Sequence, residues 1–308
     1  MIGEPRTGPT LVALAAGVGS RFGGLKQLEA VGPGGETLLE YSVFDASRAG
    51  FARVVLVVRP GMEDAFRSRF DSGMARALPL EVVPQDAAEL PIGFAPAPRR
   101  VKPWGTGHAV LAAEPALEGA FAVVNADDFY GAESFRELHR FLTTQRREAV
   151  PRFAMVGFEI GPTLSRSGPV SRALCRVDER GCLQGIVEIR ELWKRGDGGF
   201  YLDADGVEVE VPADRRVSMN IWGFTPQIFA ELGRRFREFL ERQGSRPDAE
   251  FLVPDVIQDL VSEGKVRVEV LRGAGSWCGI TYPEDLRRVT ELLVAKVARG
   301  DYPADLWK

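Results

Sequence analysis

The feature that most constrains this chain is the alternation, through its first half, of short wholly apolar runs with amphipathic stretches. Thr10–Ala16 (TLVALAA) and Arg53–Arg59 (RVVLVVR) show no polar–apolar alternation, the pattern of strands covered on both faces of a parallel sheet. Between them, Leu38, Leu39, Val43 and Ala46 share one helical face over Glu36–Ala49, and Gly50 is suited to end that helix in the left-handed conformation. A helix over Met62–Phe70, strands at Leu80–Val83 and Phe121–Ala126, and a helix over Glu133–Gln145 continue the series. Such a series requires helices on the sheet faces and right-handed crossovers.

The pattern changes after about residue 150. Arg152–Ile160, Val170–Val177, Ile186–Leu192 and Val217–Phe224 read as strands joined by turns such as DERG. Arg195–Pro212, rich in Gly and Asp, is expected to form a mobile loop or hairpin over the functional site. Helices over Pro226–Glu241, Glu250–Glu263 and Pro283–Arg299 and a strand at Val266–Leu271 follow. The expected fold is α/β: a Rossmann-like, mixed and mostly parallel sheet flanked by helices, with a mixed β-rich second half. Residues 1–308 are expected to form one domain, in halves 1–150 and 151–308.

Composition excludes several classes. The net charge of −4 argues against a general nucleic-acid binder, although a small anionic ligand needs only a local cluster of cations. Cys175, Cys182 and Cys278 are odd in number and form no CxxC, and there are only two histidines, so reduced thiols are expected in place of disulfides or zinc ligands. MIGEPRTGPT contains no apolar signal core, and no apolar run approaches the ~18 residues of a membrane helix. A cytoplasmic protein without membrane or nucleic-acid partners is the expectation.

The first strand runs into AAGVGSRFGGLKQ, Ala15–Gln27. Ligands of open parallel sheets bind beyond the carboxyl ends of the strands, and glycines there leave backbone N–H groups free for phosphate oxygens. Arg21 can pair with phosphate in bidentate fashion and Lys26 supplies a point charge. A Walker loop is excluded because Leu25, not Lys, follows Gly24, and a dinucleotide fingerprint because Phe22 stands where its third glycine belongs. The remaining alternative is a plain connector with two solvated cations.

LAAGVGSRFGGLKQ resembles the G-x-G-[ST]-R-x(n)-K signature of the sugar-1-phosphate nucleotidyltransferase superfamily, with a compact Arg–Lys gap also found in molybdenum-cofactor nucleotidyltransferases. The resemblance implies that Ala15, Ala16, Gly17, Gly19 and Ser20 contact a nucleoside triphosphate. It implies that Arg21 binds the leaving pyrophosphate and that Lys26 binds phosphate in the transition state. WGTGHAV, Trp104–Val110, resembles a uridylyltransferase segment that reads uracil together with an upstream glutamine. Gly105, Thr106 and Gln85 take those places, while His108 is expected to be a buried helix-start residue bonded to backbone. NADDFYG resembles the family's G-D-x-x-F/Y segment, placing Asp127 as catalytic ligand of Mg²⁺ and Asn125 at the substrate. Asp128 either caps the next helix or binds the metal's waters.

For the acceptor, GIVEIRE places Glu188 at sugar hydroxyls and Arg190 at the sugar phosphate, VSMNIWGF places Asn220 at the sugar, and SRSGPVSR offers the Gly168 N–H. SWCGITYPEDL departs from the family's W-x-D pattern, because Gly279 occupies the place of the second metal-binding Asp. Asp285, Thr281 or water is then expected to complete the coordination. The implied enzyme transfers NMP, from UTP or dTTP, to a sugar 1-phosphate by in-line attack on the α-phosphorus with loss of pyrophosphate. The acceptor monoester, with a second pKa of about 6, is already ionised at neutral pH and needs no general base. The alternatives are cytidylyl transfer to another phosphate or phosphonate, molybdopterin nucleotidylation, which the long second half disfavours, and a catalytically silent nucleotide-sugar-binding protein.

Overall fold

A computed structural model describes residues 7–17, 26–71, 73–145, 148–273 and 277–308. The chain runs β1 (Thr10–Leu14), α1 (Leu38–Ala49), β2 (Arg53–Val58), α2 (Glu63–Phe70), α3 (Met74–Ala77), β3 (Leu80–Pro84), α4 (Thr106–Ala113), β4 (Phe121–Asn125), β5 (Asp128–Phe129) and α5 (Ala132–Thr143). It continues through β6 (Arg152–Glu159), β7 (Val170–Val177), β8 (Leu183–Arg195), β9 (Gly198–Leu202), β10 (Glu208–Val211), β11 (Arg216–Phe224), α6 (Ile228–Gln243), α7 (Val253–Ser262), β12 (Arg267–Arg272), β13 (Cys278–Gly279) and α8 (Asp285–Ala298).

Strands β3, β2, β1 and β4 lie side by side and all parallel. Every residue of β1 is buried, as its unbroken apolar run requires. Helix α1 begins at a capping box, in which the Thr37 hydroxyl accepts from the Glu40 N–H and the Glu40 carboxylate accepts from the Thr37 N–H. It stops at Gly50 in the left-handed region, φ 104°.

The second half joins the same sheet. Strand β11 pairs antiparallel with β4 and, through its length, with β6 and β7, so the sheet order is β10-β9-β8-β7-β11-β4-β1-β2-β3, with β12 beside β6. Two apolar clusters cover the sheet. One is built on Leu11, Val54 and Leu56 under α1, α2 and α5; the other on Val12, Val55 and Trp222 under α4, α6 and α7. Arg195–Pro212 forms the β9–β10 hairpin at the sheet edge, and none of its residues is among those lining the two cavities described below. The expected cover over the site is thus an extension of the sheet, because β9 finds its hydrogen-bond partners in β8.

Candidate active site

Two cavities adjoin beyond the carboxyl ends of β1 and β4. The first, about 300 Å³, is lined by Ala16, Gly17, Gln27, Gln85, Gly105 and Thr106; the second, about 250 Å³, by Asp128, Ser171, Arg172, Glu188, Asn220 and Trp277. Lys26, Asn125, Asp127, Thr106 and Leu252 belong to both. Lys26 and Asp127 form an ion pair at this boundary, and the Lys26 ammonium also donates to the Ile280 carbonyl at 3.1 Å.

The first cavity is framed by turns. Gln27 donates its amide to the Gly17 carbonyl at 3.1 Å and so ties together the two ends of the glycine-rich segment. Gly105 opens α4 at φ 102°, with the Phe251 carbonyl 2.7 Å from where a Cβ would stand, so both the conformation and the close approach require glycine. The Thr106 hydroxyl accepts from the Val253 N–H at 3.0 Å and holds the start of α7 against α4. Ala15 is buried in the core beneath the cavity. Gly19, Ser20 and Arg21 lie outside the described residues.

A polar chain organises the second cavity. Asn220 donates to Asn125 Oδ1 at 2.7 Å and accepts from Trp222 Nε1 at 2.9 Å; Asn125 Nδ2 donates to Asp128 Oδ2 at 2.9 Å. The Tyr130 hydroxyl lies 2.9 Å from the Met219 carbonyl and 3.2 Å from Asp128 Oδ2, and accepts from the Asn125 N–H at 3.0 Å. Burial, and then the charge of Asp127, push the Asp128 carboxyl well above its ordinary range. Asp128 is therefore not a helix cap; α5 starts at Gly131 without a side-chain cap. A Cβ on Gly279 would fall 2.1 Å from Asp128 Oδ1, so Asp128 fills the volume a side chain at 279 would take. Glu188, raised by burial, accepts from Ser171 Oγ at 2.6 Å.

Three expected site residues lie elsewhere. The Asp285 carboxylate accepts the N–H groups of Thr281 and Tyr282 at 2.9 and 2.8 Å and lines a separate small cavity, so this capping role replaces the one expected of it beside Asp127. Arg190 lines a neighbouring groove with Arg235 and Asp255 in place of the acceptor cavity. Gly168 backs onto Tyr282, whose hydroxyl would stand 2.6 Å from a Cβ there. Sequence reasoning missed Gln27, Ser171, Arg172 and Trp277. The Arg172 guanidinium stacks over the Trp277 ring at 4.9 Å and donates to Thr163 Oγ1 at 3.2 Å. The available signal for it was an arginine set beside the apolar residues Val170, Ala173 and Leu174 in a segment read as a strand.

Residues 11–154 match the profile of the MobA-like NTP transferase domain. The similarity to an NTP transferase domain spans a little under half of the chain. All the described residues that line the first cavity, except Glu250 and Leu252, fall within the matched segment, whereas Ser171, Glu188, Asn220 and Trp277 of the second cavity lie beyond it. No curated protein matches the chain in sequence. Among solved structures, the inositol-1-phosphate CTP transferase from T. maritima superposes with TM-score 0.60 at 17% identity, covering 96% of this chain and 98% of its own. A UDP-glucose pyrophosphorylase complexed with UDP-glucose gives TM-score 0.55 at 15% identity, covering 93% and 98%. The fold shared with these structures therefore extends over both halves of the chain.

Proposed function

We propose that the protein transfers a nucleoside monophosphate from an NTP in the first cavity to a phosphorylated sugar or polyol in the second, releasing pyrophosphate. The observation that carries this reading is that the two cavities share Lys26 and Asp127 at their boundary, where a transferring phosphate would lie. An acceptor phosphate, ionised at neutral pH, attacks the α-phosphorus in line, and catalysis reduces to juxtaposing two polyanions and stabilising their charge. Lys26 supplies a positive charge at that point. Asn125, Asn220, Glu188 and Ser171 offer the donors and acceptors that a polyhydroxylated acceptor requires.

The donor set fits Mg²⁺, an ion that takes one or two carboxylates and completes its shell with substrate phosphates and water. Asp127 faces both cavities, with Asp128 adjacent. Asp127 would hold the ion, which supplies further positive charge beside the phosphates when bound. UTP or dTTP is the favoured donor, because Gln85 commits its amide nitrogen to the Gly105 carbonyl and keeps an oxygen for a base N–H. The two halves act as one catalytic unit, a reading supported by the sheet that runs through both. A cytoplasmic setting fits the three free thiols.

The test is a pyrophosphate-release screen of NTPs against sugar and polyol phosphates with Mg²⁺. Turnover with UTP or dTTP and a sugar 1-phosphate is expected. A strong preference for CTP would replace this reading with cytidylyl transfer, the activity named for the T. maritima relative. Absence of pyrophosphate with every pair would overturn it.

A further inference from the structure

Gln85, just past the end of β3 and 3% exposed, spends both hydrogens of its side-chain amide inside the protein. Its Nε2 lies 2.9 Å from the Gly105 carbonyl oxygen and 3.3 Å from Nδ1 of His108. A carbonyl oxygen can only accept, so the end of the amide that faces Gly105 in this structure is the nitrogen. Nδ1 of His108 is then the bare ring nitrogen and accepts the second hydrogen, which leaves the ring proton on Nε2. Burial holds the ring's pKa down to about 4, so the imidazole is neutral under ordinary conditions. The ring is 5% exposed and stacks on Phe236 with centroids 4.9 Å apart, which keeps it from swinging aside. What Gln85 retains for a ligand in the first cavity is Oε1.

We propose that His108 is a positioning residue for base selection. Through Nδ1 it locks the Gln85 amide so that the cavity presents a hydrogen-bond acceptor. That acceptor takes the imino N–H of a uracil or thymine ring and rejects the bare N3 of cytosine. The inference rests on the reading above that the first cavity holds the base of the NTP. Without Nδ1 only the Gly105 tether remains, and the amide can turn about its terminal torsion, which is broad, to offer N–H as well as oxygen. A site that hydrogen-bonds one pattern discriminates because the wrong ligand leaves buried polar groups unpaired.

His108→Phe keeps the ring volume and the stack on Phe236 while removing Nδ1. In the folded variant, the ratio of kcat/KM for UTP to that for CTP, measured with one acceptor, is expected to fall about tenfold while the acceptor KM stays put. The side-chain ¹⁵N spectrum of the wild-type chain gives a second readout that needs neither substrate nor variant, because His139 is the only other histidine. It is expected to show His108 with a bare Nδ1 and a protonated Nε2. An Nδ1–H tautomer, an unchanged ratio in the folded variant, or a wild-type preference for CTP would each overturn the proposal. If His108→Phe does not fold, the tautomer decides. Failure of the wild-type protein to use any NTP would instead remove the nucleotide reading, with the tautomer then showing only how Gln85 is held.

Discussion

Lys26 and Asp127 reach the same point from opposite directions, the lysine from a short turn after the glycine-rich segment and the aspartate from the end of β4. Their side chains are only 19% and 17% exposed, so the pair is poorly screened, and its charges act strongly on a phosphate placed between the cavities. Lys26→Ala and Asp127→Ala are each expected to reduce pyrophosphate release about 10²–10³-fold with far-UV circular dichroism unchanged. Activity within threefold of wild type in both would contradict the proposed roles. That these two residues meet was legible in the sequence, because Asp127 follows the end of β4 and Lys26 closes the glycine-rich segment after β1, on the side where an open parallel sheet gathers its ligands. Asp285 and Arg190 show the limit of that reasoning. Motif order gave their approximate region, but backbone hydrogen bonds at Thr281 and Tyr282 occupy one, and Arg190 lines a different groove.

At the scale of elements, strands β1 to β4 and helices α1, α2 and α5 were readable to within a residue or two, since burial on both faces leaves an unbroken apolar run, whereas the four-residue α3 and two-residue β5 are too short to show a period and were not read. The path of the second half was not, because the partners of β11 and β8 are set by contacts distant in sequence. Strand β11 is the instructive case. Its register against β6 shifts between Ser218 and Trp222, and within that irregularity Asn220 adopts φ 59°, a left-handed conformation rare outside glycine. The bulge turns the Asn220 amide onto Asn125 instead of leaving it in the pleat. Asn220→Ala removes the bonds to Asn125 and Trp222 and puts at φ 59° a residue that tolerates the left-handed region less well than asparagine, so a loss of about 2–3 kcal/mol is expected. Asn220→Gly loses the same bonds but relieves the backbone, and should lie about 1 kcal/mol above the alanine variant in urea unfolding. Equal stability of the two variants would show that the bulge stores no strain at this position.

Across the whole molecule, the C-terminal segment returns to the first half and closes on α1. The Trp307 indole donates to Glu40 Oε1 at 3.0 Å, and the Tyr302 hydroxyl donates to Asp45 Oδ2 at 2.7 Å within a cluster that includes Tyr41, Phe129 and Leu306. Burial raises the Asp45 carboxyl to about 7, against smaller lowering effects from the Tyr302 hydrogen bond and from Arg48, Lys296 and Arg136, and its Oδ1 has no hydrogen-bond partner. The folded chain therefore holds this proton more tightly than the unfolded chain. Below about pH 4 both states are neutral at this position and the contribution is complete. Between about pH 4 and the folded value of about 7, unfolding releases a proton, so stability falls as pH rises; above it the folded group ionises too and the contribution is gone. The loss attributable to Asp45 is on the order of 2–4 kcal/mol. Asp45→Asn retains an acceptor for Tyr302 and cannot ionise, so its urea midpoint should vary much less between about pH 4 and pH 8 than that of the wild type. A variant with the wild-type slope would locate the proton release elsewhere and would mean that the tail closes on α1 without regard to the charge at Asp45.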